Sequence, residues 1–146
     1  MVVIPKTEKE TENLCHWLDI IQVQPVTHSC FKRFELAENK EFAFLYPEIT
    51  GYYASMMRFL YEHKKNEKYV NFAKASCNWL IDLYEKYGGI IQGISPQGIT
   101  NKYVYSFDTA VCSKGLLDCY LISKDNKFLK YAQKLNNWIL SDTIEN

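Results

Sequence analysis

Residues 49–81 and 108–140 overlay without a gap, offset by 59 positions from Ile49 to Asp108, and this repeat restricts the fold more than any other feature. Thr50 falls on Thr109, Tyr61 on Tyr120, and Asn66-Glu67-Lys68-Tyr69 on Asp125-Asn126-Lys127-Phe128. Phe72-Ala73 falls on Tyr131-Ala132, and Asn78-Trp79-Leu80-Ile81 on Asn137-Trp138-Ile139-Leu140. A unit of this length holding two helical segments is the signature of stacked helical hairpins, each burying its apolar face against the next.

Helical periodicity and punctuation predict five helices. The first is Glu8–Ile21, where Leu14, Trp17, Leu18 and Ile21 recur at helical spacing behind a charged first turn. Its Cys15-His16-Trp17-Leu18 echoes Cys77-Asn78-Trp79-Leu80, which suggests a degenerate third copy of the second helix in each repeat. The others are expected over 50–64, 67–87, 108–123 and 126–141. Gly88-Gly89 supplies a C-terminal stop for the third, and Asp108 or Thr109 an N-terminal acceptor for the fourth. Pro25, Pro47 and a polar patch at 37–41 make 22–48 a long loop. Gly93, Pro96 and Gly98 among β-branched and aromatic residues predict a small β-hairpin near residues 90–107. No domain boundary interrupts the chain, so 1–146 reads as a single all-α domain.

Seventeen basic and seventeen acidic side chains cancel, which removes the general electrostatic pull toward nucleic acid or an anionic membrane. No apolar run approaches the ~20 residues of a membrane span, and the opening Met1-Val2-Val3-Ile4-Pro5-Lys6 is too short for a signal peptide's apolar stretch. Cys15, Cys30, Cys77, Cys112 and Cys119 are odd in number with no CxxC pair, so the expectation is reduced thiols in a cytoplasmic protein. No glycine-rich phosphate loop or His/Cys metal spacing occurs, so neither cofactor nor metal is expected.

Tyr46-Pro47-Glu48-Ile49-Thr50-Gly51-Tyr52 and Ser106-Phe107-Asp108-Thr109-Ala110 each enter one of the two equivalent helices. With the Asn-Trp endings of the partner helices, they resemble the (α/α)6 six-hairpin toroids of carbohydrate-active proteins. These include N-acylglucosamine 2-epimerases, unsaturated glucuronyl hydrolases and toroids associated with polysaccharide synthesis. The resemblance covers about residues 12–141, and two and a half hairpins would form part of such a toroid. It implies that the helices following the long loops line an inner ring, with Glu48, Tyr52 and Asp108 near one mouth. Self-association, or the missing part of the toroid, would then complete the assembly. The paired histidines of the epimerases have no counterpart, since His16, His28 and His63 fall at none of the matched positions.

Glu48 and Asp108 are therefore the candidate catalytic carboxylates, able to act as the acid and base of glycoside hydrolysis. Each also reads as a carboxylate capping a positive helix end. Tyr46, Tyr52, Tyr53, Tyr103 and Tyr105 cluster around the two motifs, either as stacking surfaces for sugar rings or as core. His28 and Arg33 in the first long loop are candidates for an anionic sugar, or plain solvated residues. Trp17, Trp79 and Trp138 read as core. The function expected is carbohydrate-active, hydrolase-like if catalytic, with an oligosaccharide or sugar derivative as partner. The alternative is a non-catalytic helical-repeat module that binds a sugar or a protein.

Overall fold

A computed structural model describes residues 8–21, 45–95, 98–99 and 102–144. Five helices account for most of them: α1 (Glu8–Ile21), α2 (Pro47–Lys64), α3 (Lys68–Tyr87), α4 (Ser106–Ser123) and α5 (Asn126–Ile144). The repeat offset maps α2 onto α4 end for end. Both start after an extended aromatic N-cap, Tyr46 and Tyr105, and both stop at a left-handed lysine, Lys65 and Lys124. The amide of each lysine bonds back to the carbonyl of the helix tyrosine, Tyr61 or Tyr120, at 2.8 Å. Past each stop an Asx turn launches the next helix: Lys68 N donates to Asn66 Oδ1 and Lys127 N to Asp125 Oδ1, both at 3.0 Å.

Both repeat helices begin earlier than the sequence predicts. Pro47 fits the first helical position, where no N–H is needed. Thr50 and Thr109 do not cap. Their hydroxyls bond back to the carbonyls of Tyr46 (3.0 Å) and Tyr105 (2.8 Å), one turn upstream, so the helix already encloses them. Glu48 and Asp108 thus lie inside the first turn, not at the N-cap.

The helices pack as two hairpins, α2–α3 and α4–α5, with α2 and α4 adjacent and α4 touching α3 as well. The α2 and α4 axes run parallel, because the contacts advance together along both helices. Cys112 Sγ donates to Pro47 O (3.3 Å), Lys114 Nζ to Ser55 Oγ (3.2 Å) and Arg58 to Asp118 (2.8 Å). Two glycines permit this approach. A Cβ on Gly115 would lie 2.7 Å from Gly51 O, and one on Gly51 would lie 2.8 Å from Val111 O, both backbone atoms. The core is continuous through Met57, Leu80, Ile90, Leu116, Phe128 and Leu135. Phe128 and Ala132 occupy the repeat positions of Tyr69 and Ala73, and all four are buried.

Tryptophan breaks the symmetry. Trp79 is 8% exposed and belongs to the core, whereas Trp138, expected to match it, is only partly buried. The Trp17 side chain lies outside the described residues. Between α3 and α4, two-residue strands β1 (Ile94–Ser95) and β2 (Gly98–Ile99) pair antiparallel, and single bridges join Leu45 to Ile94 and Ile91 to Val104. Gly93 and Gly98, which weaken extended pairing, keep this ladder short. None of the described helices is long and apolar enough to cross a membrane. Most of the predicted long loop, residues 22–44, lies outside the described residues.

Candidate functional site at the N-terminal ends of α2 and α4

Because α2 and α4 are parallel neighbours, their first turns open on the same side, and three of the candidate residues meet there. Tyr46 is 6% exposed, packed beneath the first turns. Burial, then a hydrogen bond donated by its hydroxyl to Glu48, then the charges of Asp108 and Glu48, push its phenol up to about 12. Gln92, from the α3–α4 connection, also bonds the hydroxyl and opposes the shift slightly. The same two carboxylates act on Cys112, one turn into α4, whose thiol burial already holds well above its ordinary range. Cys112, one turn after Asp108, donates to the carbonyl of Pro47 beside Glu48 (3.3 Å), so both carboxylates lie at the same end of the helix pair. Asp108 is buried, while Glu48 is half-buried and within reach of solvent.

Exposed aromatic rings lie close to these first turns along the chain. Tyr103 (73% exposed), Tyr105 and Phe107 lead into α4, and Tyr52 projects from the second turn of α2, all substantially exposed. Tyr53, by contrast, is core. His28 and Arg33 lie outside the described residues.

Two contributors escaped the sequence reading. Gln92 lies in an irregular connection that carries no periodic signal. Phe107, the register partner of Glu48, differs from it in chemistry and is marked only by its place before Asp108.

Lower on the same helix pair, Asp118 accepts from Arg58 (2.8 Å) and Lys114 (2.6 Å), and Arg58 also pairs with Glu62 (2.8 Å). Burial alone would raise the Asp118 carboxyl, but bonds from Lys114, Ser55 and Arg58 outweigh it and leave it below its ordinary value. These charges bridge α2 to α4 and are structural. No group of acidic, histidine and cysteine side chains suited to a metal ion occurs among the described residues.

No family model, curated protein or solved structure matches this chain.

Proposed function

We propose that the chain is a carbohydrate-active protein, built as part of an (α/α) toroid, that takes a saccharide against the rings at the N-terminal ends of α2 and α4. The observation that carries this reading is the placement of Glu48 and Asp108 in the first turns of the adjacent parallel helices α2 and α4, beside the buried Tyr46, with Tyr52, Tyr103 and Tyr105 exposed in the segments entering those helices or their first two turns. Aromatic faces suit the C–H faces of sugar rings, and carboxylates accept from sugar hydroxyls. Tyr46 acts as a positioning residue that orients Glu48. In hydrolysis, one carboxyl protonates the leaving oxygen while the other activates water or attacks the anomeric carbon. His28 and Arg33 belong to this proposal as contacts to an anionic sugar. The four free thiols of the described residues suit a cytoplasmic setting.

The test is a glycan screen with neutral and uronic-acid oligosaccharides, followed by titration of Glu48→Gln and Asp108→Asn. Each substitution should weaken binding at least ~10-fold, the worth of one charge-assisted hydrogen bond, with an unchanged thermal midpoint. Absence of any glycan ligand would remove the reading. Binding without release of reducing ends would select the non-catalytic module, which the exposed flank of α2 also favours.

A further inference from the structure

Within the chain, α2 and α4 meet along a seam with two different sides. The α2 side presents Gly51, Ser55 and Arg58, and the α4 side presents Val111, Gly115 and Asp118. Shifting the register by one repeat shows what the chain carries on its two outer flanks. The outer flank of α2 holds the counterparts of Val111, Gly115 and Asp118, which are Tyr52, Met56 and Phe59. The outer flank of α4 holds the counterparts of Gly51, Ser55, Arg58 and Glu62, which are Ala110, Lys114, Leu117 and Leu121; the Lys114 ammonium reaches back to the internal seam, to Ser55 and Asp118.

Both flanks carry exposed apolar side chains: Met56 is 37%, Phe59 52% and Leu121 42% exposed, while Leu117 is half-buried against the core. The change is reciprocal. At the level where Arg58 meets Asp118 inside the chain, the outer flanks carry Leu117 on one side and Phe59 on the other. Both members of an ion pair have thus become apolar together. A surface that merely tolerated exposure would have no reason to change on both sides at one height, and contiguous exposed apolar side chains mark interaction surfaces.

We infer that a second copy of this chain docks the outer flank of its α4 onto the outer flank of α2, head to tail, repeating the α2–α4 seam between molecules. Ala110 of one copy then faces Met56 of the next, and Leu117 with Leu121 faces Phe59. Ala and Met stand where Gly51 and Gly115 stand in the internal seam, so the docked helices lie further apart. Because the contact is heterologous, association continues until the stack closes or runs out of copies. The inference rests on the repeat register; it shares Tyr52 with the proposed saccharide site, but its readout, the mass in solution, needs no glycan.

Sedimentation equilibrium from about 1 µM to about 1 mM, the range of transient interfaces, tests it with Phe59→Glu and Leu121→Glu. Both residues are exposed, and circular dichroism checks the fold; Phe59→Ser and Leu121→Ser replace any variant that loses helicity. The expected result is a wild-type mass that rises with concentration, two variants that stay monomeric alone, and a dimer when they are mixed in equal amounts. The mixture is decisive, because each variant keeps the flank that the other has lost. A wild type that stays monomeric throughout overturns the inference. So does a variant that associates by itself, or a mixture that remains monomeric.

Discussion

The two hairpins share a register, the same stops and the same turns, yet equivalent positions in α2 and α4 meet opposite environments. Gly51 is buried against Val111, while its counterpart Ala110 is exposed. Asp118 is buried in an ion network, while its counterpart Phe59 faces solvent. Trp79 is buried in the core, while Trp138 is only partly buried. Local sequence therefore determines each hairpin's shape, and position in the stack determines what each face must tolerate.

The largest expected effect separates the tryptophans. Trp79→Ala should cost about 3–5 kcal/mol, as for a large core ring whose cavity does not collapse. Trp138→Ala, at a partly buried position, should cost about 1–2 kcal/mol. Urea denaturation of both variants measures the gap, and equal losses would dissolve the contrast between the hairpins.

Next come the seam glycines. Gly115→Ala should destabilise by about 1–3 kcal/mol, because the neighbours of the added methyl are backbone atoms that no rotamer change can move. Ala110→Ser, at the register position of Gly51, should stay within about 0.5 kcal/mol. Thermal midpoints of the pair give the comparison directly, and a tolerated Gly115→Ala would mean that α2 and α4 do not approach as described.

The smallest effect is electrostatic. Asp118→Asn should cost about 1–2 kcal/mol near neutrality, since Arg58 and Lys114 are partly exposed and rehydrate when the carboxylate is lost. The sign with pH follows from the lowered Asp118 value. Its contribution is complete above the ordinary carboxyl pKa of 3.8 and disappears as pH falls through the lower folded value. Denaturant midpoints of wild type and variant should converge between pH 5 and about pH 2. Phe59→Asn should show no such convergence.

The helices were legible in the sequence because they are locally encoded. The Asx turns at Asn66 and Asp125 and the glycine stop at Gly88 all show in the residue types. The true starts of α2 and α4 were not, because Thr109 looks like a cap and Thr50 like a first helical residue until their hydroxyls are seen bonding back one turn. At the candidate site, the register alone put Glu48 and Asp108 at one end of equivalent helices. Burial of Tyr46 and its bond to Gln92 depend on packing between distant segments, which periodicity does not encode. The Arg58–Asp118 pair was hidden for a related reason: its members align with Leu117 and Phe59, so the repeat gave no sign of a charge in either place.

The tight turns also bear on the order of folding. Lys64 and Lys68 bracket one hairpin turn, and Ser123 and Asn126 the other, so each hairpin closes a very short loop. The seam instead joins residues as far apart in the chain as Pro47 and Cys112, 65 positions. The entropy lost on closing a loop grows with its length, and contacts distant in sequence are slow to form. Each hairpin is therefore expected to assemble early from neighbouring residues, with the meeting of α2 and α4 as the slow step. Substitutions at Gly51 and Gly115 should then slow refolding, whereas changes at the Asx turns should act mainly on how readily each hairpin forms by itself.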